Sequence, residues 1–479
     1  MKNMTIRNIA RACKGVLCDK SNGKVNAVVA GSTEPETGEA EASCVVIDSR
    51  QMIPGGVFIA TVGERVDGHS FIPQMADKGA LGVVCEKEPE DCGVPYILVK
   101  DSFQALKDIA EFYRQQLTIP IVGITGSVGK TSTKEMIASV LREGFKVLKT
   151  EGNFNNEIGL PLTILRIREE HQVAVVEMGI SDFGEMHRLS KIARPDICVM
   201  TNIGQCHLEN LGTREGILKA KSEIFDYMNP KGSIIVNGDD DMLQRVTTKA
   251  ESKLIRFGMN PTNEGYASDV MNKGLLGSEA TIHMGLEVFP VEIPLPGAHM
   301  VYNALAAAAV GKCLGLTKEQ IRAGIAGVQS VDGRSNVMAL ENYTVIDDCY
   351  NANPVSMKAA IDLLVTALGR KVAVLGDMFE LGDTECELHR EVGIYAAEKG
   401  IDVIICAGGL SKYMYEGAVG FAGKKEELFA AQNRKVYYFE TKDEMLKQLP
   451  DILKLGDNIL VKASHGMHFE DVVEKLRKL

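Results

Sequence analysis

The chain lacks the marks of several large protein classes. None of its apolar runs reaches the roughly 18 residues of a membrane-spanning helix, and hydrophobic residues make up 45% of its 479 positions, an ordinary globular share. The opening stretch, MKNMTIRNIARACKGVLCDK, has no apolar core before a small-residue cleavage site, so no secretory leader is expected and a soluble, cytoplasmic chain is. The 11 cysteines include no CxxC pair and keep no regular spacing. Cys198 and Cys406 stand inside apolar runs, which reads as reduced core side chains. A basic excess is missing too. The net charge of -11 argues against a duplex-binding surface, so no nucleic-acid partner is expected, although an anionic nucleotide would still need local cations. No low-complexity tract, heptad run or solenoid-length repeat is present.

What is there is an α/β chain too long for one core, and three domains are expected. Residues 1–115 read as a small α/β module, with CVVIDSR, PGGVFIATVG, LGVVCEK and YILVK as strands and IPQMADKGA as helix-like. In residues 116–330, the apolar runs IVGIT, VAVVEM, DICVMT and SIIVNG alternate with helical patterns at 131–143, 184–193 and 215–228. That rhythm predicts a parallel sheet with helices on both faces, an ATPase-like core. A strand-rich stretch, 254–292, and an Ala-rich helix from Tyr302 to Cys313 complete this unit. Residues 331–479 repeat the rhythm with TVIDD, KVAVLGD, DVIICAG and NILVKAS, predicting a Rossmann-like C-terminal domain.

The chemistry is densest at Ile121 to Ser132, IVGITGSVGKTS. A buried strand runs into a turn with Gly126, Ser127 and Gly129, and Lys130, Thr131 and Ser132 then open a helix. Glycines let backbone N–H groups curl around phosphate oxygens, the helix N-terminus adds positive potential, Lys130 neutralises β/γ charge and the Thr131 hydroxyl suits Mg²⁺. The loop is a variant: Ile124 stands where the usual pattern has its first glycine, and Gly123 comes one position earlier. Glu177 ends the strand VAVVE at the sheet edge where such folds bind ligands, which suggests a Mg²⁺ ligand or else a solvated loop acid. His207, in the TNIGQCH loop after the next strand, is a candidate metal or phosphate ligand. Lys221 sits on a helix and, from position alone, is a solvated side chain.

Together these segments resemble the Mur ligases, ATP-dependent enzymes that extend the peptide of the peptidoglycan precursor, and the likeness covers most of the chain. TGSVGKT resembles their ATP loop, VVEMG and TNIGQCH their metal-binding strands, and AKSEIF the segment with a carbamylated lysine. The resemblance therefore implies ATP, two Mg²⁺ ions held by Thr131, Glu177, His207 and carbamylated Lys221, and catalytic roles for Lys130, His207 and Lys221. Within the family, EGNFNNEIGLPLT, DDCYNANPVSM and LGDMFELG resemble the members that add D-alanyl-D-alanine. That implies UDP-N-acetylmuramoyl-tripeptide and D-alanyl-D-alanine as substrates, with Asn155, Asn156, Tyr350, Asn351 and Asn353 touching them. Asn303, Arg334 and Asp348 would contact the nucleotide. IDSR resembles the UDP-substrate module, where Ser49 and Arg50 would bind.

The family's KGSR reads Lys462-Ala-Ser-His465 in this chain. A monomer whose domains close around the ligands is expected. Three other readings are another ligase of the superfamily, of the third-residue or folylpolyglutamate type, a nucleotide switch, and a non-catalytic homologue, which the intact loop, Glu177 and Lys221 weaken. The switch would need an NKxD motif, and the nearest match, Asn272-Lys-Gly-Leu275, lacks the aspartate.

Overall fold

The computed structural model describes residues 1–19, 26–28, 40–248, 251–424 and 434–479. It contains three sheets in sequence order, as the α/β reading expects. The N-terminal sheet has six strands ordered Asn26–Val28, Val16–Asp19, Tyr96–Leu98, Gly82–Cys85, Val57–Ile59 and Val45–Val46, with antiparallel pairing only at its first two contacts. The helix-like IPQMADKGA is no α-helix. The 3₁₀ turn Gly68–Gln74 runs through Pro73, whose ring removes a donor and blocks α continuation.

Nine strands form the central sheet. Ile121–Thr125 lies between Val173–Glu177 and Ile197–Met200, parallel to both, and chain order departs in opposite directions from it. This is the switch point where doubly wound sheets open a crevice. In register, Ile124 faces Glu177 and Thr125 faces Met200, so three strand ends finish at one edge. The strand-rich stretch supplies Gly265–Asn272, Ser278–Met284 and Glu287–Ile293, whose antiparallel hairpins extend the far side.

The Ala-rich helix spans His299–Cys313, starting earlier than its alanines suggest, and is buried along most of its length. Small side chains let it lie close against the helix Lys130–Arg142, whose Ile137, Val140 and Leu141 are fully buried. Each such side chain contributes about 1.5–3 kcal/mol on leaving water. That packing fixes the helix that begins at the phosphate loop.

In the C-terminal unit the order is Asn336–Ala339, Thr344–Asp347, Asn458–Lys462, Lys371–Gly376, Val403–Ala407 and Lys435–Phe439, parallel except for the first pair. Ala463, at the family's glycine position, is accommodated beside Gly376: a Cβ on Gly376 would lie 2.7 Å from that of Ala463. Among the described residues, no helix is long and apolar enough to cross a membrane.

Candidate active site

Gly126 cannot be another residue. Its φ is +149° and a Cβ there would stand 2.0 Å from Thr201 Oγ1. Gly129, at φ +83°, occupies the position before the helix Lys130–Arg142. Asn202 braces the turn between them: its carbonyl accepts from Ser127 N–H at 3.0 Å, its Oδ1 from Val128 N–H at 2.9 Å, and its Nδ2 donates to the Val128 carbonyl at 2.9 Å. The first-turn N–H groups of the helix that follows have no intrahelical acceptors, which suits an anion. Lys130 folds back over the loop and donates to the Gly126 carbonyl at 2.9 Å.

Two cavities meet at this loop. The first, about 190 Å³, is walled by Gly129, Ser132, Asn303, His299, Tyr302 and Phe257 from the central unit and by Arg334, Ser335, Asp348, Asn351 and Lys462 from the C-terminal one. Asn303 is oriented by Thr133, whose hydroxyl donates to its Oδ1 at 2.9 Å. Asp348 is nearly buried, with Oδ1 accepting from Ser335 N–H at 2.8 Å and Oδ2 paired with the buried Lys462 Nζ at 2.5 Å.

The second cavity, about 500 Å³, collects Ser127, Lys130, Thr131, Asn155, Asn156, Glu177 and His207, with Arg334, Tyr350, Asn351 and Asn353 opposite. Arg334, Asn351 and Gly129 border both spaces. The Arg334 guanidinium lies 3.9 Å from the centre of the Tyr350 ring, and His465 stacks on the same tyrosine at 5.2 Å. The histidine standing at the family's arginine position thus joins an aromatic stack at the cavity wall.

Glu177 is 2% exposed. Its Oε1 accepts from Asn155 Nδ2 at 2.8 Å, while Oε2 has no hydrogen-bond partner and lies 4.0 Å from the ammonium of Lys134. A buried carboxylate oxygen left without a donor is costly unless something binds it. Among the described residues, no three His, Cys, Asp or Glu side chains converge as a metal cluster. Glu177 and His207 instead share the wall with the Thr131 hydroxyl. His207 pairs through Nδ1 with Glu380 Oε2 at 2.7 Å, and this partner holds the Glu380 carboxyl below the usual range.

Lys221 is 1% exposed, contrary to the solvated side chain its helical position suggests. Burial first, with the charge of Lys130 also contributing, pushes its ammonium down to about 8. Asn156 and Asn353 have structural duties as well. Asn156 Oδ1 accepts from Gly159 N–H at 2.9 Å, and Asn353 caps the helix Pro354–Val365 through Ser356 N–H at 2.9 Å.

Ser49 and Arg50 border neither cavity. The Ser49 carbonyl accepts from Lys78 Nζ at 2.5 Å, and the exposed Arg50 folds onto Asp48 at 2.7 Å. Sequence reasoning missed Asn202, Lys134, Lys462 and Glu380. Only Lys134 carried a local signal, being a lysine on the same helical face as the buried Ile137, Ala138 and Leu141.

Comparison with known proteins agrees with this geometry. Family models match in three stretches: the Mur ligase family catalytic domain over 41–114, the Mur ligase middle domain over 124–311, and the Mur ligase glutamate ligase domain over 333–465. The chain is 38% identical to the UDP-N-acetylmuramoyl-tripeptide–D-alanyl-D-alanine ligase of Bacillus subtilis, across 99% of each. It is 36% identical to the Escherichia coli enzyme of that name, across 91% of this chain and 93% of that one. Among solved structures, MurF from Acinetobacter baumannii superposes with a TM-score of 0.85 at 31% identity, covering 99% of both chains. MurF from Thermotoga maritima, crystallised with ADP, gives 0.78 at 29% identity over 91% of this chain and 97% of that one. With relatives this similar over nearly its whole length, and a phosphate loop set at the switch point of its central sheet, the chain belongs to the Mur ligase family.

Proposed function

We propose that the chain is an ATP-dependent, ADP-forming ligase that joins D-alanyl-D-alanine to UDP-N-acetylmuramoyl-tripeptide, acting as a monomer in the cytoplasm. The observation that carries this reading is the meeting of the two cavities at Gly129, Arg334 and Asn351. A nucleoside in the smaller space would send its phosphates over Lys130 and Thr131 into the larger one. There they meet the motif residues Asn155, Asn156, Tyr350, Asn351 and Asn353.

In the proposed reaction, an oxygen of the tripeptide's terminal carboxylate attacks the γ-phosphorus and ADP departs. The uncharged amine of the dipeptide then adds to the acyl-phosphate carbon. Phosphate leaves as the amide forms, and the amine's proton passes to solvent or phosphate. ATP thereby makes a poor leaving group into a good one. The chain's part is positioning and charge neutralisation: Lys130 on the β/γ oxygens, first-turn N–H groups on the phosphates, and Arg334 held by Tyr350 at the entrance. Ser49 and Arg50 are assigned to the UDP portion on the family resemblance.

The residues suit Mg²⁺, since Glu177 Oε2 is buried without a donor and Glu177 lines the same cavity as Thr131 and His207. Bound there, Mg²⁺ would supply neutralising charge at the phosphate oxygens. Lys221 would join the set as a carbamate. An amine held at about 8 is largely uncharged in mildly alkaline solution, which is the form that adds CO₂ and releases a proton.

Phosphate release from ATP, measured with each substrate alone and then with both, tests the reading. Release only with both, with a new UDP-pentapeptide mass, is expected. Release with another amino acid in place of the dipeptide would move the specificity within the family. Release with a folate and glutamate would favour the folylpolyglutamate type.

A further inference from the structure

Glu380 and His207 come from different units of the chain. Glu380 rises from the loop after the strand Lys371–Gly376, and His207 from the loop after Ile197–Met200. His207 Nδ1 pairs with Glu380 Oε2 at 2.7 Å, and among the described residues no hydrogen bond reaches His207 Nε2.

Both residues hold left-handed backbone, φ +52° for His207 and +63° for Glu380, a conformation that side-chain-bearing residues adopt at a cost. The Glu380 loop is braced behind that strain. Met378 N–H donates to Nε2 of the buried His389, Phe379 N–H donates to Ser464 Oγ, both at 2.9 Å, and Asp377 Oδ1 accepts from Ser411 N–H and its hydroxyl at 2.6 Å. A second contact lies beside the pair, where a Cβ on Gly382 would be 3.7 Å from Glu209 Cα.

The Glu380 side chain is 59% exposed, and an ion pair that open adds little to stability. Strain on both sides and a braced loop for so small a return point to a role other than holding the domains together. Metal-binding histidines ordinarily give their second ring N–H to a carboxylate, a backbone carbonyl or water, which fixes the ring and its tautomer.

We propose that Glu380 is a positioning residue for His207. It holds the imidazole with Nδ1 protonated and Nε2 free for a divalent cation, so the cation site is completed only when the C-terminal unit is seated. This rests on the reading of His207 as a metal ligand.

Mn²⁺ binding, followed by its paramagnetic resonance in the presence of saturating ADP, separates the two claims in the full-length enzyme. Loss of one bound Mn²⁺ in His207→Ala is expected; an unchanged titration would overturn the ligand reading and this proposal with it. Glu380→Ala is expected to weaken the same Mn²⁺ by about 10- to 100-fold, with Glu380→Gln, which can still accept from Nδ1–H, recovering most of the loss. If His207→Ala loses the ion but Glu380→Ala binds it normally, the ligand reading stands and the positioning role falls. A Gln variant as poor as Ala would make the carboxylate's charge or direct ligation the cause and overturn positioning. Small-angle scattering on the same samples must show unchanged dimensions, since a Glu380→Ala protein that no longer compacts would make the pair a docking contact instead.

Discussion

Asn155 donates to Glu177 at 2.8 Å and in turn accepts, through its own carbonyl, from Gly179 N–H at 2.9 Å, so one asparagine brackets the acid from both sides. Asn155→Ala removes the donor that fixes Oε1 and leaves both carboxylate oxygens to reorient. The apparent Mg²⁺ requirement of phosphate release is expected to rise about 10-fold or more, with ATP affinity measured by calorimetry changing less.

Lys130 is the only lysine lining the larger cavity among the described residues. Lys130→Ala at saturating ATP is expected to lower kcat by on the order of 10² to 10³ or more. Near-normal turnover would show that the phosphates lie elsewhere.

For Lys221, the folded ammonium releases its proton at about 8 and the free side chain at 10.5. Between those values the unfolded chain binds a proton the folded one does not, so stability rises with pH across that window; below about 8 the cost of the buried charge is fully present. In CO₂-free buffer, the urea midpoint of the wild type should therefore climb from pH 8 to 10 relative to Lys221→Met. Parallel curves would mean that the amine is not buried in its charged form.

The Asp348–Lys462 pair is nearly closed to solvent, and Lys462 Nζ also donates to the Asn351 carbonyl at 2.9 Å. Lys462→Met strands the carboxylate and is expected to cost about 3–5 kcal/mol in chemical denaturation. Adding Asp348→Asn should restore a good part of that stability, though ADP affinity would stay reduced if the nucleotide sits as proposed in the smaller cavity, which both residues wall.

Gly126→Ala should cost more than about 1 kcal/mol, because alanine neither accepts φ +149° nor fits 2.0 Å from Thr201 Oγ1. ADP binding, measured by calorimetry, is expected to fall below detection.

The fold was legible because apolar runs such as IVGIT and VIICA are short, rich in β-branched residues and followed by glycine-bearing turns, the marks of buried strands. The phosphate loop was legible because all its parts are contiguous. IPQMADKGA misled because its apolar spacing suits a helix, whereas the chain makes the 3₁₀ turn Gly68–Gln74 into that stretch. Asn202, Lys462 and Glu380 were illegible for a common reason: their partners are distant in sequence, brought near only by sheet order and by the seating of one unit on another. Ser49 and Arg50 came from resemblance alone, and their surroundings offer no independent sign of a ligand.

The smaller cavity draws its walls from two units, Asn303 and Tyr302 on one side and Arg334, Ser335 and Asp348 on the other. A nucleotide bound there, as proposed, would have its apparent affinity set by the seating of one unit on the other as well as by local contact. A compound wedged between the units, touching none of the atoms that ATP touches, would raise the apparent KM for ATP and pass in a kinetic assay for its competitor.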